Sequence, residues 1–112
     1  MGQGILMNNV WGGMSKKLLW NGSTTGTINV DTTEYTLIGI VTAHNGVAQE
    51  TILNKVGAWQ VIGSNYQNSS ESQAMIVKSV YIGGASIRQG VGYWALNGHG
   101  ANDPITAVYG YK

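Results

Sequence analysis

Short apolar runs alternate with polar segments rich in Gly, Asn, Ser and Thr along this chain, and their spacing predicts strands. About seven or eight runs follow one another at intervals of roughly 8–12 residues, which is typical of an antiparallel sandwich or barrel. The predicted strands are 18–20, 25–30, 35–42, 47–56, 59–62, 74–82, 86–96 and 105–111. The pattern predicts an all-β fold and leaves sandwich and barrel open.

Three of these segments carry further expectations. The run 35–42 is nearly continuous in apolar and β-branched residues, so we expect it at the centre of a sheet. The run 47–56 also fits one face of a helix, but it is short and Gly57 follows it, which favours a strand. The polar stretch 63–72 is expected to be a loop.

Asn-Gly pairs occur at Asn21-Gly22, Asn45-Gly46 and Asn97-Gly98. This dipeptide favours the positive φ angles of type I′ hairpin turns, so each pair is expected to reverse the chain. Pro104 precedes the last strand, where a missing N–H is tolerated. Residues 1–16, rich in Gly and Asn, are expected to be a loose lead-in or the end of an upstream stalk. Residues 17–112 are expected to form a single all-β domain.

The composition narrows the classes of partner. Charged residues make up 10% of the chain and the net charge is +1, against a usual charged share of about 25%. With its basic residues scattered, the chain is not expected to bind nucleic acid. No apolar run approaches the roughly 20 residues that cross a bilayer, so membrane insertion is not expected. The low charge, with four Trp and six Tyr but no Phe, favours self-association and half-buried aromatic positions.

No set of residues points to catalysis. Asp31 and Glu34 bracket an Asp-Thr-Thr-Glu turn, for which solvated turn chemistry is the expectation. His99 and Asp103 could serve a nucleophile such as Ser86, or begin a metal site with His44. A third ligand is not apparent, and a loop histidine that hydrogen-bonds its own turn is the preferred interpretation. We therefore expect no enzyme activity, no cofactor and no metal.

Glycines at Gly83-Gly84 and Gly90-Val91-Gly92 superficially resemble a phosphate-binding loop. A dinucleotide site needs a helix directly after the glycines, whereas the strand-like segment 93–96 follows here. Alternate glycines within a strand more often mark a bulge or a close approach of another backbone. We expect one of these two features rather than nucleotide binding.

Both ends of the domain carry motifs of a known family. Lys16–Ser23 reads Lys-Lys-Leu-Leu-Trp-Asn-Gly-Ser, Gly26–Val30 reads Gly-Thr-Ile-Asn-Val, and Tyr35 follows. Ile105–Lys112 reads Ile-Thr-Ala-Val-Tyr-Gly-Tyr-Lys. These motifs resemble the opening and ending of C-terminal receptor-binding domains in tail-fibre and minor structural proteins of bacteriophages and prophages of Gram-positive hosts. Residues 43–100 match only in their general hydrophobic pattern.

The resemblance implies a virion protein, part of the tail or a surface appendage, that is made in the bacterial cytoplasm. It implies a homotrimer joined to an upstream fibre or baseplate protein. Its partner would be a host cell-wall or surface saccharide, bound without catalysis. A purely structural trimeric fibre or head-decoration domain, a glycan hydrolase tip and a cellular β-sandwich lectin remain alternatives.

A saccharide site needs aromatic faces that stack on a sugar ring, beside amide and hydroxyl groups that bond its hydroxyls. Two regions supply such groups: the polar stretch Ser64–Asn68 with a tryptophan near it, and the loop 97–103 with the strand before it. The candidate binding residues are Trp59, Tyr66, Arg88, Tyr93, Trp94, Asn97, His99 and Asp103.

Overall fold

The structure, a computed structural model, describes residues 14–44, 46–67, 73–94 and 100–112. These residues form eight β-strands and no helix, which confirms the all-β prediction. The strands are β1 (Lys16–Thr24), β2 (Ile28–Asn29), β3 (Leu37–His44), β4 (Val47–Asn54), β5 (Trp59–Gln67), β6 (Gln73–Ile82), β7 (Ser86–Trp94) and β8 (Ile105–Tyr111). The described residues accordingly include no helix long and apolar enough to cross a membrane.

The strands form two four-stranded sheets in which every pairing is antiparallel. The first sheet has the order β1-β8-β3-β4, and the second has the order β2-β7-β6-β5. β3 lies between β8 and β4, which confirms its predicted central position. β4 is a strand that pairs with β3 along its whole length, as its pattern favoured. Two separate sheets make the fold a sandwich rather than a closed barrel.

The core lies between the two sheets and consists mainly of isoleucine and valine. β3 supplies Ile38 and Ile40, β8 supplies Val108, and the second sheet supplies Val80 and Ile87, all 0% exposed. Successive side chains of a strand point to opposite faces, so the residues between these positions lie on the outer faces of the sandwich. The period-two pattern of the sequence therefore decides which side chains are buried and which are presented outward.

Asn21-Gly22 does not reverse the chain, so that turn prediction is wrong. The pair lies inside β1, where the register with β8 shifts between Asn21 and Thr24. A Cβ on Gly22 would lie 2.9 Å from the Trp20 indole, so glycine here accommodates the tryptophan ring within an irregular strand. Gly46, by contrast, has a φ of 80° between β3 and β4, which confirms the second turn. Asn97-Gly98 lies outside the described residues.

The stretch 63–72 was predicted as a loop, and this is wrong for its first half. β5 continues to Gln67, which pairs with Gln73 of β6. β5 is an edge strand of the second sheet. An edge strand needs less apolar character than a central one, because it has a neighbour on one side only. The polar composition of residues 63–67 therefore suggests a loop, although these residues form a strand. Residues 68–72 lie outside the described part of the chain.

The glycines of β7 produce both a bulge and a close approach, as predicted. Lys78 pairs with Gly92 and Val80 pairs with Gln89, so two β7 residues, Gly90 and Val91, lie opposite Ser79. A Cβ on Gly92 would lie 2.4 Å from the backbone oxygen of Ala101. The missing side chain lets residues 101–102 lie directly against β7.

Gly110→Ala tests the close packing of Tyr35 on β8. A Cβ at position 110 would lie 2.4 Å from the Tyr35 ring, so this buried ring would have to move. We expect the free energy of unfolding to fall by about 1–3 kcal/mol, the usual cost of overpacking, in urea denaturation. Gly26→Ala is the control, because the nearest atom to its Cβ is 3.6 Å away. Equal effects of the two substitutions would contradict this packing.

Candidate ligand-binding site

The fold distributes the predicted binding residues over two ends of the second sheet. Trp59 begins β5, and Tyr66 lies near its far end, roughly 23 Å away at the usual rise of a strand. Tyr93 and Trp94 end β7 and pair with Val77 and Ile76, so they lie toward the Tyr66 end of the sheet. Asn97 and His99 lie outside the described residues. Trp59 therefore lies away from Tyr66, with which the first of the two predicted regions groups it.

Two predicted residues, Trp59 and Arg88, do come together, and Tyr81 lies between them. Trp59 of β5 pairs with Tyr81 of β6, and Tyr81 pairs with Arg88 of β7. The three side chains consequently form a row across three strands, called here the Trp59–Tyr81–Arg88 row. Cross-strand pairing on a rigid sheet fixes their spacing without help from a loop.

The contacts within the row are aromatic and cation–π. The Trp59 and Tyr81 rings meet edge to face, with centroids 5.7 Å apart and an interplanar angle of 62°. The Arg88 guanidinium carbon lies 4.6 Å from the Tyr81 centroid and 5.3 Å from the Trp59 centroid. Arginine over an aromatic face is an attractive arrangement that keeps both partners in place.

The row lies on the outer face of the second sheet. Its neighbours Val80, Ile82 and Ile87 are buried in the core, and strand alternation places Tyr81 and Arg88 on the opposite side. Trp59 is 50% exposed, and Arg88 is also exposed. A ligand in solution can therefore contact the exposed half of Trp59 and the Arg88 cation.

Asp103, another predicted binding residue, is buried. Its Oδ1 lies 2.8 Å from Nδ1 of His44, and Nζ of Lys78 donates a hydrogen bond of 2.6 Å to its backbone oxygen. Its Oδ2 is buried and has no hydrogen-bond partner among the described residues. These contacts hold the segment before β8 against β3 and β6, which is a structural role for Asp103.

Lys78 continues this buried network into β7 and β1. Its Nζ also donates to Oε1 of Gln89, and Nε2 of Gln89 donates to the backbone oxygens of Thr24 and Gly26. Burial lowers the pKa of Lys78 to about 8, although the nearby charge of Asp103 opposes the shift. Lys78 thus joins four parts of the chain from inside the sandwich.

The Asp31–Glu34 turn has the predicted chemistry. Oδ1 of Asp31 accepts hydrogen bonds from the backbone N–H of Thr33 at 3.0 Å and from its hydroxyl at 2.6 Å, and these bonds lower the pKa of Asp31. Glu34 lies 2.7 Å from Nζ of Lys112, which lowers the pKa of Glu34. Both carboxylates stabilise the turn and its contact with the end of β8.

No group of three or more His, Cys, Asp or Glu side chains able to hold a metal occurs among the described residues. His44 and Asp103, considered together as the start of a metal site, instead bond each other.

The chain matches no protein-family model and no curated protein sequence.

Sequence reasoning missed Tyr81 and Lys78, and each had a readable signal. Ile82 pairs with Ile87 across the β6–β7 hairpin, so a hairpin centred on Gly84-Ala85 would already have placed Tyr81 opposite Arg88. Lys78 lies in alternation with Ile76 and Val80, which marks it as inward facing. A lysine at such a position predicts a buried polar network.

Lys78→Met tests the buried amine through the pH dependence of stability. The pKa of Lys78 is about 8 in the folded chain and ordinarily 10.5, so the unfolded chain binds more protons between these values. Stability conferred by this position then rises with pH. We expect the wild type to gain about 2–3 kcal/mol over the variant between about pH 7 and pH 10, measured by urea denaturation. Parallel profiles for the two proteins would contradict the shift.

Proposed function

We propose that this chain is a receptor-binding domain of a phage or prophage tail fibre, which binds a saccharide of the host cell surface without catalysis. The observation that carries the proposal is the half-exposed Trp59 ring, held edge to face against Tyr81 on the outer face of a rigid sheet. Aromatic faces of this kind bury the C–H face of a sugar ring and leave its hydroxyls to polar neighbours.

The geometry of the row suits a sugar. The half-exposed Trp59 ring gives a ligand part of an indole surface beside a second aromatic ring inclined at 62°. Because backbone pairing holds both strands, little conformational entropy is lost when a ligand binds, and pre-organisation of this kind favours affinity. The low charge of the chain also favours a partner recognised by stacking and hydrogen bonds.

The two longest family-like motifs lie in the first sheet, apart from the row. Lys16–Ser23 lies in β1 and Ile105–Lys112 contains β8, and these two strands pair. The Gly26–Val30 motif contains β2, which pairs with β7 at the edge of the second sheet. This arrangement supports a shared scaffold centred on β1 and β8, which would join the domain to an upstream fibre or baseplate protein, and a receptor surface formed by the row on β5, β6 and β7.

Trp59→Ala tests the proposal. The probe is purified cell walls from a panel of Gram-positive bacteria, and the readout is the bound fraction of protein. Against the walls that the wild type binds, we expect Trp59→Ala to weaken binding about tenfold or more, equivalent to about 1.4 kcal/mol.

Leu18→Ala is the matched control, since Leu18 is a comparably exposed apolar side chain, at 47%, on β1 of the first sheet. It should leave binding unchanged. Trp59→Phe, which keeps an aromatic face, should retain part of the affinity. Equal binding by wild type and Trp59→Ala, or no wall bound by the wild type, would contradict the proposal.

A structural trimeric fibre domain is the second candidate, and a specific observation favours it. Val61, Met75 and Val91 of the second sheet are 67%, 48% and 78% exposed. Val61 pairs with Ser79, and Val91 lies in the bulge opposite the same serine. Apolar side chains exposed this close together are suited to contacts between copies of the chain.

Light scattering on the wild type, Val91→Glu and Trp59→Ala separates the two candidates. If this face joins subunits, Val91→Glu should reduce a trimeric mass toward that of the monomer, because a charge would be buried in the contact. If Trp59 binds a receptor, Trp59→Ala should leave the mass unchanged. A monomeric wild type at high concentration would contradict the trimer in both candidates.

A further inference from the structure

Three cations lie over aromatic rings in the described part of the chain, and two of them have a carboxylate partner. Lys16 Nζ lies 4.2 Å from the Tyr109 centroid and 2.9 Å from Oε1 of Glu50. Lys112 Nζ lies 5.2 Å from the Tyr35 centroid and 2.7 Å from Oε1 of Glu34. The third is Arg88, which forms no ion pair with a carboxylate of the described residues.

The carboxylates of the described residues are all engaged elsewhere. Asp31 accepts hydrogen bonds from Thr33, and Glu34 pairs with Lys112. Glu50 pairs with Lys16 and accepts a hydrogen bond from the Tyr111 hydroxyl. Asp103 is buried against His44. Within the described part of the chain, the positive charge of Arg88 is therefore held at an exposed site by rings rather than by an anion.

Stacking leaves the hydrogen-bonding capacity of arginine intact. A guanidinium carries five N–H donors at its edge, and contact with a ring uses its face. Two parallel N–H groups match the oxygens of a carboxylate or phosphate in a bidentate pair. The contacts with Tyr81 and Trp59 also restrict the side chain, which reduces the entropy lost when it binds an anion.

We propose that the ligand of the Trp59–Tyr81–Arg88 row is an anionic saccharide, whose carboxylate or phosphate binds the Arg88 guanidinium while a sugar ring stacks on Trp59. This inference rests on the proposed function, because it assigns a chemical class to the saccharide bound at the same row. Trp59 provides affinity for the ring, and Arg88 discriminates charged from neutral saccharides.

The experiment is titration calorimetry with three oligosaccharides of matched length: one neutral, one containing a uronic acid and one linked by phosphodiesters. We expect the wild type to bind at least one anionic probe about tenfold more tightly than the neutral probe, as a charge-assisted bidentate contact would produce. Preference for the uronic acid would identify a carboxylate, and preference for the phosphodiester would identify a phosphate. Added salt should weaken the preferred interaction.

Arg88→Gln should abolish the preference, because it should weaken the anionic probe about tenfold more than the neutral probe, equivalent to about 1.4 kcal/mol. Arg88→Lys keeps the charge but loses the planar fork, so it should retain only part of the preference. Lys17→Gln is the matched control, since it removes the same charge from an exposed position on β1 and should change neither affinity. Thermal unfolding of each variant verifies that it is folded.

The outcomes separate the two proposals. Neutral and anionic probes that bind alike, both weakened by Trp59→Ala, would overturn the anionic ligand and leave the saccharide site intact. Equal loss of both probes in Arg88→Gln would likewise overturn it and show that Arg88 only supports the rings. Binding of no saccharide, or anion binding that Trp59→Ala leaves unchanged, would overturn the proposed function and this inference with it.

Discussion

The packing of two antiparallel sheets against each other imposes the constraint on which the other features depend. The central strands β3 and β6 place alternate side chains in a core of isoleucine and valine, so their remaining side chains face outward. The row of Trp59, Tyr81 and Arg88 is the outward counterpart of the buried Val80, Ile82 and Ile87. The same rule turns Lys78 inward, where it must find polar partners. The exposed row and the buried Lys78 therefore both follow from the alternation of side chains along the strands.

Burial of Lys78 has a cost that its surroundings offset only in part. Removing an amine from water favours its neutral form, and the nearby Asp103 charge opposes this without cancelling it. The buried side chain nevertheless connects separate parts of the chain. Lys78 bonds to Asp103, and its partner Gln89 bonds to Thr24 and Gly26. Asp103, Thr24 and Gly26 belong to irregular segments or strand ends. The polar network connects these segments to β6 and β7, close to the Tyr93–Trp94 end of the second sheet.

The sequence predicts most of the fold because the core strands repeat with period two. β8 is predicted at its observed bounds, and β3 is predicted as central. Errors occur where local signals compete with pairing. Asn21-Gly22 favours a turn in isolation, but pairing of β1 with β8 and the ring of Trp20 over Gly22 keep it in a strand. The sequence predicts too short a β5, because the polar residues of an edge strand resemble a loop.

The candidate site is harder to predict, because it depends on register rather than on composition. The sequence identifies Trp59 and Arg88 as candidate binding residues by the chemistry of their side chains. Tyr81, which lies between them, is identified only when the β6–β7 hairpin is paired. The continuation of β5 to Gln67 separates Trp59 from Tyr66, because an extended strand rather than a loop joins the two.

The comparison of the three aromatic-bound cations adds what composition alone cannot supply. A net charge of +1 argues against a broad electrostatic surface, yet it is compatible with one local charge. Lys16 and Lys112 each form an ion pair with a carboxylate of the chain. Their charges are therefore neutralised at the first sheet and the adjoining turn. Of these three cations, Arg88 is the one that contacts aromatic rings without a carboxylate of the described residues beside it. Under the proposed function, recognition by a nearly neutral domain would depend on one directional contact, since a single planar guanidinium can distinguish an anion by geometry as well as by charge.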